Sequence, residues 1–281
     1  MSTPTKEQKT KKFQSLPILS QEEIAKYAPQ VYTDHAYDKT SKKYTFIPTF
    51  QIIEDMKKLG WEVCQAVAMK TSDKIQAKYG KHMIKFFNPS IFIKGEDGNV
   101  EAYPQILIMN NHRGWGRFKF EIGVFRLVCS NGLVVKDRDM GSFVFRHLGY
   151  SFDELKKLVN QAVEALPNVV MKINTLSDKT MTAKEQFEFA KKALKVRLGE
   201  ERECTDEEVR QVLQSTRKQD DGNSVWKVFN RVQEHLVKGG FETTTATGSV
   251  RKVRKITNML KDVELNQRLW ELTEDFVGVA N

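Results

Sequence analysis

The sequence predicts an α+β fold, with a mixed, largely antiparallel β-rich N-terminal half followed by a helical C-terminal half, and three observations predict it. Up to about Leu148 the apolar residues alternate or form short strand-length blocks. From Ser151 the apolar period lengthens to that of a helix. Strands thus precede helices instead of alternating with them, which argues against a doubly wound nucleotide fold. In keeping with this, neither Gly-x-Gly-x-x-Gly nor Gly-x-x-x-x-Gly-Lys-Ser/Thr occurs. Three segments follow: a flexible basic tail over 1–18, a β-rich half with short helices over 19–149, and a helical half over 150–281 packed on it as one unit.

Ser20-Gln-Glu-Glu23 is a capping box that opens a short helix through about Tyr27, and Tyr44 to Ile47 is strand-like up to Pro48. Phe50, Ile53 and Met56 to Leu59 recur at helical spacing until Gly60 stops them. Trp61 to Met69 then alternates as a half-buried strand. Met83 to Phe87, Ile91 to Ile93 and Gln105 to Met109 continue the β pattern, with a turn signal at Gly95-Glu-Asp-Gly98. Asn110 to Gly116 is a polar, glycine-punctuated loop. Phe118 to Val135 reads as a hairpin turning at Ser130-Asn131-Gly132, with Arg126 interrupting its apolar face, and Ser142 to Leu148 as a further strand.

In the second half, Ser151-Phe-Asp-Glu154 and Thr182-Ala-Lys-Glu185 are capping boxes for helices reaching about Ile173 and Leu198, the latter stopped by Gly199. Thr205-Asp-Glu-Glu208 starts a third helix. Asn223-Ser224 caps a fourth through His235, ended by Gly239-Gly240, and Val263 to Val277 forms the last. Phe241 to Ser249 reads as a Thr/Gly-rich loop. Trp226, Phe229, Val232 and Leu236 share one helix face and form core.

At 281 residues the chain can bury roughly three quarters of its unfolded surface. No apolar run approaches the ~20 residues of a membrane span, so no membrane partner is expected. Cys64, Cys129 and Cys204 are far apart, without metal-ligand or redox spacing, which fits a reducing cytoplasm. The five histidines likewise lack ligand spacing, so neither a metal nor a cofactor is expected.

The formal charge of +9 and pI near 9.3 point to a polyanionic partner. Lys70, Lys74, Lys78, Lys81 and Lys85 face only Asp73 in their stretch, and Thr243 to Lys261 contains no acid at all. Acid concentrates at Glu200 to Glu208 and after Asp262. Arg113, Arg117 and Lys119 around Trp115 suit phosphates plus one stacked base, and the same residues suit a solvated loop with its Trp folded on the sheet edge. Arg251, Lys252, Arg254 and Lys255 read either as a phosphate-tracking strip or as a solvated linker. Arg126 reads either as an anion contact or as a buried ion-pair partner. A third chemistry, metal-assisted cleavage, would use His112 or one of Glu121, Asp137 and Asp139, although these show no catalytic spacing.

YTFIPT (44–49), KHMIKF (81–86), FRLVCSNGLVV (125–135), DGNSVWKVFNRVQEHLVKGG (221–240) and VRKVRKITNMLKDVELNQRLW (250–270) resemble the YafZ/YfjQ/YubP-type plasmid and prophage family, a domain of unknown function. The resemblance covers nearly the whole chain. It implies a role in the biology of a mobile element, plasmid, prophage or phage, in a bacterial cytosol, and transfers no catalytic residue. Its strings contain Arg126 and Asn131, Arg231, and Arg251 with Arg254.

The sequence therefore leads to a non-enzymatic DNA-binding protein of a mobile element that acts on single-stranded or unwound DNA. Its expected contacts are Arg113, Trp115, Arg117, Lys119, Arg126, Asn131, Arg231, Arg251, Lys252, Arg254 and Lys255, and an oligomer is compatible with this role. The alternative is a counter-defence or regulatory protein that binds a host protein through the Glu200 to Glu208 stretch or the basic strip.

Overall fold

In the computed structural model, the described residues are 16–42, 44–69, 71–94, 98, 100–114, 118–126, 131–135, 151–245 and 248–278. Helices α1 (Gln21–Tyr27) and α2 (Thr49–Lys58) precede strand β1 (Glu62–Ala68). Helix α3 (Lys74–Tyr79) connects it to β2 (His82–Phe87), followed by the short β3 (Ile93–Lys94) and the long β4 (Val100–Asn110). Among the described residues, strands β5 (Lys119–Arg126) and β6 (Asn131–Val135) bring the antiparallel sheet to six strands, ordered β1-β2-β4-β5-β6 with β3 beside β4. The helical half comprises α4 (Phe152–Asp178), α5 (Ala183–Leu198), α6 (Asp206–Leu213), α7 (Val225–Lys238) and α8 (Met259–Val277), with a hairpin of β7 (Glu242–Thr244) and β8 (Val250–Lys252) between the last two.

Alternation gives the sheet two working faces. Ile84, Phe86, Ile106, Ile108, Phe120 and Ile122 pack against α1, α2 and the first half of α4. The opposite face presents Met83, Leu107 and Met109 to Met259 and Val263 of α8, while Cys64, Phe87 and Tyr103 cover Leu16. Helix α4 joins the two halves. Leu155, Val159 and Leu166 belong to the sheet core, whereas Val169, Ile173 and Leu176 belong to the helical core, with Pro167 at the changeover.

The α+β architecture is as the sequence predicts, and the capping boxes at Ser20, Thr182 and Thr205 form, whereas at Ser151 only the side-chain cap forms, accepting from Glu154 N. The Trp226, Phe229, Val232 and Leu236 face is buried, with the Trp226 and Phe229 rings stacked at 5.8 Å.

Several details differ. Tyr44 to Ile47 is not a strand, because backbone groups at its two ends bond outside any ladder: Tyr44 N donates to the Ser41 carbonyl at 2.8 Å, and the Ile47 carbonyl accepts from Asn110 Nδ2 at 2.9 Å. Asn131 and Gly132 are not the turn but the start of β6, paired with Arg126 and Phe125. Part of the expected loop at Phe241 to Ser249 is strand β7, and Leu16, expected in the tail, is buried. Helix α3, capped by Asp73, was not anticipated. The expected strand at Ser142 to Leu148 lies outside the described residues.

Candidate nucleic-acid interface

Antiparallel pairing gathers one end of the sheet. Ala68 pairs with His82, His82 with Asn110, and Met109 with Lys119, so β1 and β4 end where β2 and β5 begin. At this end lie α3 with exposed Lys74 and Lys78, half-buried Lys81 and Arg113, and exposed Lys119. Asp34, Asp38 and Asp73 are the acids of the same loops, and Asp73 is committed to capping α3.

Backbone bonds fix these loops to one another. His112 N donates to the Tyr79 carbonyl at 2.9 Å, and Tyr37 N donates to the His112 carbonyl at 2.9 Å. The Thr33 hydroxyl donates to the Lys78 carbonyl at 2.7 Å. Beneath them is a sealed polar cluster. His82 Nδ1 lies 3.0 Å from the Gly80 carbonyl, which can only accept, so Nδ1 carries the proton and Nε2 accepts from the Thr49 hydroxyl at 2.8 Å. Thr49 in turn accepts from Asn110 Nδ2 at 2.9 Å.

The His112 ring packs 4.9 Å from that of His82 and 4.8 Å from that of Phe46. Burial holds His82 down to about 4 and His112 to about 3, the latter helped by His82 beside it, so both rings are neutral at pH 7. Thr49, His82 and His112 have no solvent exposure. A hydroxyl on a histidine nitrogen resembles an activated nucleophile, but here no substrate can reach it. The cluster is the foundation under the cationic end, and His112 does not act as a surface base.

The structure separates the residues that sequence reasoning had grouped. Arg113 and Lys119 share the cationic end; Trp115 and Arg117 lie outside the described residues. Arg126 sits at the opposite end of β5, on the order of 23 Å away at strand rise. It is buried: Nε donates to Glu101 at 2.8 Å, Nη1 donates to Asp220, and the guanidinium lies over the Trp226 ring at 5.8 Å. Arg126 thus stands as a buried ion-pair partner within the fold, away from the cationic end, and Asn131, its ladder neighbour, is equally remote from Lys119. Arg231 is half-buried on α7, with Nη2 donating to Gln186 at 3.1 Å, and belongs to the helical half.

Arg251 and Lys252 are exposed on β8, and Arg254 and Lys255 are exposed on the segment that leads into α8. Where α8 begins, Met259 packs on Met83 and Met109, and Met109 is the register partner of Lys119. The strip thus runs from the helical half to the face that carries Lys119.

The hairpin itself is anchored. Glu208 Oε1 accepts from the Thr243 hydroxyl at 2.7 Å, from Thr244 N at 3.0 Å and from Arg202 at 2.5 Å. Glu121 is buried in the sheet, and among the described residues no group of three His, Cys, Asp or Glu could hold a metal ion. Asp137 and Asp139 lie outside the described residues. The Cys64 thiol, pushed up to about 12 by burial, is inert. Among the described residues no helix is long and apolar enough to cross a membrane.

Sequence reasoning missed His35, Tyr37 and Tyr79, whose rings lie beside Arg113 and Lys78. Two of them sit in a polar segment with no periodic pattern, so only the folded contacts identify them.

Two Escherichia coli (strain K12) proteins, UPF0380 protein YfjQ and UPF0380 protein YafZ, are each 28% identical to this chain over 261 residues, covering 91% of it and 90% of their own length. No solved structure matches. Residues 36–270 match the domain of unknown function DUF932, which takes in the sheet, the cationic end, the strip and most of the helical half. The chain belongs to the DUF932 family.

Proposed function

We propose that the protein binds DNA, in single-stranded or unwound form, without acting on it as an enzyme, and that it does so in the service of a mobile genetic element. The observation that carries this reading is the convergence of Lys74, Lys78, Lys81, Arg113 and Lys119 at one end of the sheet, continued by Arg254 and Lys255. Cations on a rigid frame suit a phosphate backbone, because neutralising phosphates releases condensed counterions. The mobile-element setting is supported by the resemblance described above.

The test is fluorescence anisotropy of labelled single-stranded and duplex DNA over a salt series. Affinity for single strands is expected to fall linearly in log–log form, and Lys78→Ala with Lys119→Ala to flatten the slope by about 1.4, at ~0.7 per phosphate contact. Absence of binding at low salt would reject the reading.

A host-protein partner has one observation in its favour: a groove of about 470 Å³ lined by Ile93, Pro104, Val163 and Leu166, with Phe92 and Met171 exposed at its rim. In the acidic stretch Glu200 to Glu208, Glu208 is buried against Arg202 and Glu200 pairs with Arg268, while Glu201, Glu203, Asp206 and Glu207 are exposed. Co-purification of a defined protein that survives nuclease treatment would favour this second reading.

A further inference from the structure

We propose that His35 and Tyr37, backed by Tyr79 and flanked by Arg113 and Lys78, form a stacking subsite for one unpaired base of a bound strand. The inference rests on the nucleic-acid reading and names the part of the ligand that this corner takes.

Tyr79 is buried, and its hydroxyl lies 2.8 Å from His35 Nε2. His35 Nδ1 faces the Asp34 carboxylate at 2.5 Å. A carboxylate accepts only, so Nδ1 carries a proton, and Nε2 pairs with the Tyr79 hydroxyl. The His35 ring meets Tyr79 edge-on at 5.6 Å, and Tyr37 meets Tyr79 at 5.5 Å with a 47° tilt. Arg113 lies over Tyr37 at 5.8 Å, and Lys78 over Tyr79 at 5.1 Å.

Three features separate this group from an ordinary loop core. The outer rings reach solvent: the His35 side chain is 50% exposed and Tyr37 is only half-buried. The group is preorganised, since Tyr37 is bonded through its backbone to His112 and Thr40, and Tyr79 through its carbonyl to His112. It also stands among the cations of the sheet end, so a base resting on Tyr37 or His35 has its neighbouring phosphates within the field of Lys78 and Arg113. Every base offers a π face, so such a platform reads strandedness and not sequence. A base paired within a duplex is stacked on its neighbours and cannot engage it.

Binding of single-stranded and duplex DNA of equal length would be measured for the wild-type protein and for Tyr37→Ala, Tyr37→Phe and His35→Ala. A single strand carrying 2-aminopurine would report stacking directly. Tyr37→Ala is expected to weaken single-strand binding by about 5- to 140-fold, the range for loss of one stacked base, and to leave duplex binding unchanged. Tyr37→Phe keeps the ring and is expected to bind as wild type. His35→Ala, at an exposed position, is expected to give a smaller loss in the same direction. Quenching of 2-aminopurine by wild type and its relief in Tyr37→Ala would support the subsite. Equal losses for single strand and duplex, or no loss in either Tyr37→Ala or His35→Ala, would overturn it while leaving the nucleic-acid reading in place. Failure of the wild-type protein to bind any DNA would remove both.

Discussion

Arg126 carries the clearest residue-level energetics in the molecule. Its guanidinium ties strand β5 to Glu101 on β4 and to Asp220 in the turn before α7, across the junction of the two halves. Asp220 is 1% exposed, so Arg126→Ala strands a buried carboxylate and is expected to cost ~3–5 kcal/mol, read as a lowered urea midpoint. Adding Asp220→Asn is expected to restore part of that loss; a single-variant cost below about 1 kcal/mol would show that the pair is not the junction's tie. The two buried histidines make a pH prediction. Both have folded values depressed below the ordinary 6.5, so the stability they contribute is complete above pH ~6.5 and is lost as pH falls toward about 4 for His82 and about 3 for His112. At roughly 1.4 kcal/mol per pH unit, His82 alone accounts for roughly 3 kcal/mol. Unfolding free energies at pH 7 and pH 5 are expected to differ less in His82→Asn than in wild type. An equal difference would assign the acid sensitivity to other groups.

At the scale of elements, legibility follows the distance over which a signal acts. Ser20, Thr182 and Thr205 each accept from an N–H three residues ahead while the glutamate there reaches back, so the whole device is written in four residues; the same pattern at Ser151 marks the helix start, but Glu154 does not reach back. The β7–β8 hairpin was not readable, because its anchor, Glu208, lies on α6 and no local pattern names it. Helix α3 has six residues, too few to be stable alone, and persists because Thr33 and His112 bond to its last turn; Asp73 at its start and Gly80 at its end are its local signs. The Asn131-Gly132 pair misled for a related reason: the dipeptide suits a turn, but both residues pair in the ladder, with Arg126 and Phe125, and no local pattern names that register. The same logic divides the candidate site. Charge is additive along a sequence, so Lys119 and the strip from Arg251 to Lys255 were visible there. The aromatic group was not, since Tyr37 and Tyr79 meet only after the loop before α2 docks on the connection between β1 and β2.

For the whole molecule, the question is whether the helical half is a domain or a layer. Its core is not its own: Ile93, Ala102 and Val124 from the sheet are buried in the same cluster as Val169, Phe189, Phe229 and Trp270. Helix α4 contributes to both cores along a single apolar stripe, and α8 leaves the helical core at Leu265 to cover the sheet with Met259 and Val263. Removing the sheet would expose Leu155, Val159 and Leu166 on α4 and leave Asp220 without Arg126. Each fully buried aliphatic side chain stabilises by about 1.5–3 kcal/mol, and a domain of ordinary stability has only about 5–15 kcal/mol in total. The segment 151–278 expressed alone is therefore expected to keep helical far-UV circular dichroism, to lose near-UV signal from Trp226 and Trp270, and to bind a hydrophobic dye, whereas the full chain unfolds in one cooperative step. A fragment with dispersed amide resonances and a sharp thermal transition would instead make the helical half an independent domain. The cationic strip would then sit on a separately folded body, and its alignment with Lys119 would no longer be fixed by a shared core.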